Sequence, residues 1–371
     1  MAIQFSVKKA SKKSQGRLGV VTTRHGDIPT PAFMPIATRG AVKTLSSDDL
    51  AQLSPDVVLA NTYHLWLQPG HELIKKAGGL HKFMHWPKPI LTDSGGYQVF
   101  SLANHRQLIE QGVHFQEPKS GARRLLTPEL AIDIQMALGV DLMMALDECP
   151  PYPCTQHYAK ESLALTSRWA ERCQKQWQSY SNIQRRGRGV LGIVQGSIYQ
   201  KLRQQSAVEI TALDFDGYAI GGVAVGEPRN MLAKVLAWTS PLLPADKPRY
   251  LMGLGRPEEL VAAASAGVDL FDCVIPTREG RHGRLFMRIN DRLSGQFYRA
   301  VNITNQKFST DHTPINAKSS SSLLRHYTKA YLHHLFKIDE SLAWRLATLH
   351  NLEFYLNLMR DIRQGIKQGK I

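Results

Sequence analysis

The stretch Thr127–Glu148, TPELAIDIQMALGVDLMMALDE, carries the decision about the fold. Its first half punctuates itself as a helix: Thr127 suits an N-cap, Pro128 suits the first turn, and apolar residues then recur at helical spacing. Its second half, DLMMALDE, is an unbroken apolar run of strand length that ends on carboxylates. Alternation is absent from that run, so the strand is buried on both faces, as in a parallel sheet. A capped helix feeding such a strand is the repeating unit of an α/β fold.

Working outward, seven more runs share the pattern: PAFMPIAT (31–38), DVVLANT (56–62), PILTDSGG (89–96), GVLGIVQGS (189–197), GYAIGG (217–222), RYLMGLG (249–255) and LFDCVIPT (270–277). Further helices are legible in YAKESLALTSRWAERCQKQW and GRPEELVAAASAGV. Eight buried strands alternating with helices predict a (β/α)8 TIM barrel. The competing doubly wound open sheet is disfavoured because no G-x-G-x-x-G follows the first strand. After Thr277 comes REGRHGRLFMRINDRLSGQFYRAVNITNQKF, an arginine-rich insertion shaped to carry a hairpin. From His326 onward the chain reads as helical with one apolar face. Residues 1–371 are expected to form one catalytic barrel domain, with the insertion and a C-terminal helical subdomain over 284–371.

Composition narrows the class. Lys and Arg outnumber Asp and Glu by 46 to 31 in 371 residues, giving +15. Such a surplus fits a polyanionic partner, most simply nucleic acid, although a merely basic enzyme has the same balance. Cys149, Cys154, Cys173 and Cys273 lack the spacing of a disulfide framework. The basic N-terminus is followed by no apolar h-region, and no stretch is long and apolar enough to span a bilayer, so the cytoplasm is the expected location.

In barrels of this kind the C-terminal strand ends share one face, where catalysis sits. Here those ends carry Asn61, Asp93, Asp147, Gln195, Gly221 and Gly222, Met252 and Gly253, and Asp272. Each alone reads as a helix N-cap; together they make a polar mouth. Paired aspartates suit glycosidic-bond chemistry, one attacking an anomeric carbon and the other managing a proton. The amide, the third carboxylate and a glycine N–H suit a flat base with a guanine-like donor and acceptor edge. Tyr97 and Met252 are placed to sandwich its ring.

Ten motifs run in order along the chain: NTYHL, LTDSGGYQVFSL, GVHF, DECPPYP, GIVQGS, FDGYAIGGVAVGEP, RYLMGLGRPEEL, LFDCVIPTREGRHG, AYLHHL and LHNLEFY. With them the chain resembles the bacterial-type tRNA-guanine transglycosylases, or queuine tRNA-ribosyltransferases, from about Gly16 onward. The resemblance implies exchange of the wobble guanine of GUN-anticodon tRNAs for 7-aminomethyl-7-deazaguanine, by covalent double displacement and without a cofactor. It makes Asp272 the nucleophile and Asp93 the general acid and base. Asp147, Gln195 and Gly222 read the base, and Ser94, Gly95, Gly96, Tyr97 and Gly221 line the pocket. Cys149, Val223, Val225, Met252 and Gly253 complete it, Val223 departing from a usual leucine. Gly253, Leu254, Gly255, Arg256, Pro257, Glu258 and Glu259, with Thr277, Arg278, Glu279, Gly280 and Arg281, match tRNA-contacting segments. A homodimer through the C-terminal helices is implied, with Tyr327, Tyr331 and His334 at matching positions.

The resemblance also exposes a gap. The family's structural zinc is held by three cysteines and a histidine, and the matching positions here are Ser319, Ser321, Leu324 and His350. Hydroxyls and a leucine do not replace thiolates at tetrahedral zinc, so no metal is expected. The segment then reads as a loop, His350 as a core or capping residue, and Leu323, Leu324, Tyr327 and Tyr331 as the compensating packing. A second departure is a longer stretch near 287–296, whose Arg288 and Arg292 either add a tRNA contact or sit on a surface hairpin. A silent tRNA-binding subunit, a relative acting on another nucleic acid and a generic glycoside hydrolase are the alternatives; intact acidic positions and few aromatic sugar platforms disfavour the first and last.

Overall fold

All eight apolar runs become parallel strands in the computed structural model, which describes residues 2–102 and 106–371. They are Ala32–Met34, Val58–Ala60, Ile90–Thr92, Leu142–Met144, Gly189–Val194, Gly217–Ile220, Arg249–Leu251 and Leu270–Asp272. The last pairs with the first in register, Asp272 opposite Met34. Closure comes just beyond the first strand, where Leu59 N donates to Pro35 O at 2.9 Å and Ile36 bridges Leu59. The sheet is therefore an eight-stranded parallel barrel.

Strand parity sorts the core. Ala32, Met34, Leu59, Leu91, Leu142, Met144, Leu191, Ile193, Ala219, Tyr250 and Leu270 cluster inside the barrel. Their neighbours Phe33, Val58, Ile90, Met143, Val190, Tyr218, Leu251 and Phe271 pack outward against the helices. Removing such surface from water supplies the main folding drive. The Pro128–Leu138 helix forms as its punctuation predicts: Thr127 Oγ1 accepts from Leu130 N, and Gly139 ends it in the left-handed region at φ +77°. That conformation favours glycine.

Two antiparallel sheets lie outside the barrel and have no counterpart in the sequence reading. Gln4–Ala10, Arg17–Thr23 and Gly26–Thr30 form one, whose Val21 and Ile28 join the barrel's interior cluster. Gln107–Ile109, Gly112–Gln116 and Arg123–Leu126 form the other. The insertion does fold as a hairpin, Arg284–Arg288 against Tyr298–Asn302. The long closing helix Ser341–Lys367 lies over it: Asn351 accepts from Phe286 N and donates to Pro276 O and Arg284 O, at 2.9 to 3.0 Å.

Candidate active site

At the end of six of the eight strands, or one residue beyond it, inward parity continues upward from the apolar layer. Leu59 leads to Asn61, Leu91 to Asp93, Ile193 to Gln195, Ala219 to Gly221, Tyr250 to Met252 and Leu270 to Asp272. A pleated strand points alternate side chains to one face, so these residues converge. They line a cavity of about 620 Å³ that also includes Ser94, Tyr97, Asp147, Cys149, Gly222, Val223, Val225, Gly253 and Leu254. Every base-pocket residue expected from the sequence lies at this mouth except Gly95 and Gly96, which sit immediately behind it. Gly95 N donates to Asp93 Oδ1 at 3.1 Å and Gly96 N to Ser94 Oγ at 3.2 Å.

The three aspartates differ in their partners. Asp272 Oδ1 accepts from Tyr250 Oη at 2.6 Å and from Gly253 N at 2.8 Å. Among the described residues no donor reaches Oδ2. Burial pushes the Asp272 carboxyl above the usual range, against those two bonds. Asp93 is held on both oxygens: Thr62 N donates to Oδ1 at 2.9 Å, and Asn61 Nδ2 donates to Oδ2. Burial raises it to about 6, with the charge of Asp272 adding to the shift. Asp147 accepts from Gln195 Nε2 at 2.6 Å and Ser94 Oγ at 3.4 Å, and burial raises it to about 6 as well. Gln195 keeps a second amide proton for a ligand, while its Oε1 is buried without a partner.

Around them the walls are set by chemistry of another kind. Burial raises the Cys149 thiol to about 12, so it stays protonated and serves as wall rather than nucleophile. Tyr97 is half exposed at the rim, and Met252 is partly buried. The loop after Gly222 is held by Glu227, which accepts from Ala224 N and Val225 N at 2.5 and 3.0 Å while Ala224 adopts φ +63°. Tyr250, which donates to Asp272, and Arg203, which donates to the Gly221 and Gly222 carbonyls, are residues of the site that the sequence reading did not name. Tyr250 has a signal, since its parity points it inward one layer below the mouth. Arg203 has none, because it sits within a helix.

The expected RNA-contacting segments divide between surface and interior. Arg256 and Arg278 are exposed beside the mouth, and Arg278 lines the cavity. Gly253 and Leu254 line it too; Gly255 O accepts from Tyr355 Oη at 2.7 Å. Pro257 opens the next helix, Glu258 accepts from Tyr298 Oη at 2.6 Å and Glu259 pairs with Arg229. Thr277 and Gly280 are buried, Glu279 lies near Arg284 at 3.6 Å, and Arg281 donates back to Thr277 O at 2.9 Å. Gly280 is needed where it stands: a Cβ would meet the Ala347 backbone of the closing helix at 3.0 Å.

Metal ligation finds no support at the serines. Ser319, Ser321 and Leu324 are buried, but they present no thiolate; Ser321 Oγ and His350 Nδ1 are buried without partners, and His350 Nε2 bonds Phe286 O at 3.0 Å. The residues do not fit zinc. A polar clasp holds the segment instead: Ser320 N and Oγ donate to Glu353 at 2.6 and 2.8 Å, and Arg325 donates to the Ser319 and Ser320 carbonyls. Leu324 is fully buried, Leu323 and Tyr327 pack on the core, and Tyr331 stays largely outside it. Among the described residues the one His and carboxylate cluster with ligand-like spacing is His25, His81 and Asp141, at the opposite end of the barrel. There both Asp141 oxygens already accept hydrogen bonds, and the guanidinium of Arg188 is nearby.

Fold and mouth together define a parallel barrel whose mouth gathers three buried carboxylates. A profile described as queuine tRNA-ribosyltransferase matches residues 11–371. A queuine tRNA-ribosyltransferase of Halalkalibacterium halodurans is 49% identical over 370 residues, covering 100% of this chain and 94% of the relative. Those of Shouchella clausii and Geobacillus kaustophilus are 50% and 47% identical, covering 98% and 100% of this chain and 92% and 93% of theirs. The chain belongs to the queuine tRNA-ribosyltransferase family.

Proposed function

We propose that this protein is a tRNA-guanine transglycosylase, a pentosyltransferase that exchanges the wobble guanine of GUN-anticodon tRNAs for 7-aminomethyl-7-deazaguanine in queuosine biosynthesis. The observation that carries the reading is the contrast at the mouth: Asp272 has one oxygen held and one left open, and Asp93, raised to about 6, stands beside it.

Asp272 Oδ2 attacks C1′ of the ribose while the C1′–N9 bond breaks with its electron pair on the base. Asp93 delivers a proton to the departing base. Asp147 accepts from the base's ring N–H and amino group, and Gln195 Nε2 and the Gly222 amide donate to its carbonyl. The incoming base then gives its N9 proton to Asp93 and displaces Asp272 from C1′. Two inversions retain configuration, following the logic of retaining glycosidases. One glycosidic bond replaces another, so no nucleotide or redox cofactor is consumed. Cys149, Val223 and Val225 shape the wall facing the aminomethyl group.

The exposed Arg256 and Arg278 meet tRNA phosphates, and the net charge of +15 favours the encounter. The wobble nucleotide must leave its stack to reach Asp272. The protein works in the cytoplasm as a homodimer through the C-terminal helices, where Tyr327 and Tyr331 stack at 5.0 Å and Tyr331 and His334 face outward. It works without the family's zinc, since Ser319, Ser321 and Leu324 supply no thiolate.

Incorporation of labelled guanine into a GUN-anticodon tRNA, with no metal or nucleotide added, tests this directly. Label in the tRNA is the expected result. Absence of label with the tRNA still bound contradicts it and makes the chain a silent subunit.

A further inference from the structure

Arg203 stands in the first turn of the Gln200–Thr211 helix with no solvent exposure. A buried guanidinium ordinarily meets a carboxylate, because an unpaired charge is costly to bury. This one donates to main-chain carbonyls: Ser197 O at 2.7 Å, Val194 O at 3.2 Å, Gly221 O at 2.6 Å and Gly222 O at 2.8 Å. Burial pulls it down to about 10, which leaves it charged at neutral pH.

Those carbonyls belong to the strand ends that present Gln195 and the glycine pair to the cavity. In a trans peptide the C=O and the following N–H point in opposite directions. By drawing the Gly221 and Gly222 oxygens toward itself, Arg203 turns the Gly222 and Val223 amides away, toward the cavity that both residues line. The Gly222 amide faces the Cys149 thiol on that wall. Only glycine permits the approach: Gly222 has φ +61°, and a Cβ there would lie 2.3 Å from Gln195 Oε1. The neighbouring Gly196 has φ +126°, where a Cβ would lie 2.7 Å from Arg203 N.

We propose that Arg203 is a positioning residue: its guanidinium orients and polarises two peptide groups so that their amides cradle the carbonyl oxygen of the departing base. As the C1′–N9 bond breaks, the electron pair left on the base spreads to that oxygen until Asp93 supplies a proton. Donors fixed before the reaction stabilise such charge without reorganising. A cation bonded to the carbonyl side of a peptide strengthens its N–H as a donor. The inference rests on the base-exchange reading above and adds an electrostatic backing to its carbonyl contact.

The test compares inhibition by guanine and by 2-aminopurine, which lacks the carbonyl oxygen, in wild-type, Arg203→Met and Arg203→Lys proteins. The missing ring N–H of 2-aminopurine affects all three alike, so it cancels in the ratio of inhibition constants. Arg203→Met is expected to shrink the preference for guanine roughly 10-fold and to lower kcat for guanine exchange by roughly 10- to 100-fold. Its affinity for 2-aminopurine should stay near the wild-type value. Arg203→Lys keeps the charge but cannot fork across the carbonyls, and should retain part of the preference. Equal weakening of both bases overturns the proposal, since it makes Arg203 a structural anchor alone. Should Arg203→Met melt before assay temperature, Arg203→Gln, with donors but no charge, gives the same comparison. A wild-type protein that binds neither base overturns the base-exchange reading itself, and this inference with it.

Discussion

Asp147 and Asp93 are both raised to about 6 by burial, and the same fact bears on binding and on stability. Only ionised Asp147 accepts two hydrogen bonds from the base edge. KM for guanine should therefore rise as pH falls through about 6, and an Asp147→Asn protein, weak throughout, should lack that acid limb. For stability the sign is reversed. A carboxyl raised in the folded state binds its proton more tightly there than in the unfolded chain, so folding is opposed once it ionises. The penalty grows as pH rises from about 4 to about 6 and persists above. A shift of about two units corresponds to on the order of 3 kcal/mol. Asp147→Asn should thus raise Tm at pH 8 and leave it nearly unchanged at pH 4, measured by thermal melts of both proteins. Stabilisation equal at the two pH values would contradict a burial origin. The residue scale is also where the sequence was most legible at the mouth. Asn61, Asp93, Gln195 and Asp272 follow from strand parity, because one inward step past an apolar position is readable without coordinates. Arg203 is not, since its role depends on four carbonyls brought together from the ends of two strands.

At the scale of elements, the barrel floor repeats one device. Asp141, Asp216 and Asp269 immediately precede the fourth, sixth and eighth strands. Each accepts a backbone N–H from the preceding strand: Ile90, Val190 and Arg249, at 2.9, 2.9 and 2.8 Å. These bonds tie neighbouring strand starts together. The N-terminal sheet then docks on two of the three. His25 with His81 meets Asp141, and Arg17 forks onto Asp269 at 2.6 and 3.1 Å. Arg17→Met removes one partner of a buried pair and should cost about 3–5 kcal/mol. Urea unfolding should show that loss, and a change below about 1 kcal/mol would place the docking energy in Val21 and Ile28 instead. This sheet escaped the sequence reading for a physical reason: Gln4–Ala10 is largely exposed, so it lacks the continuous apolar run that betrayed the barrel strands. Helix punctuation was legible for the opposite reason, because Thr127, Pro128 and Gly139 act locally. The clasp of Glu353 on Ser320 joins residues 33 apart in sequence and leaves no local mark.

Across the whole molecule, the closing helix makes the site's geometry depend on the C-terminus. It buttresses Gly280 and holds Pro276 O and Gly255 O through Asn351 and Tyr355, so both segments beside Asp272 rest on it. The C-terminal segment is itself braced by Glu353, Arg325 and buried Leu324. Fold and reaction class were readable from the sequence because eight buried runs and ten ordered motifs are global patterns. The way in which the C-terminal segment is held was not, because hydroxyl and carboxylate contacts follow no spacing rule. In the proposed reaction Asp272 becomes covalently bound to the ribose. The measurement that meets it most directly is denaturing electrophoresis of the protein with a GUN-anticodon stem-loop, followed by mass mapping of any adduct. The expected result is a guanine-reversible adduct on the peptide containing Asp272, absent from Asp272→Asn, which should still bind the RNA. An adduct that persists in Asp272→Asn, or that maps to Asp93, would contradict it.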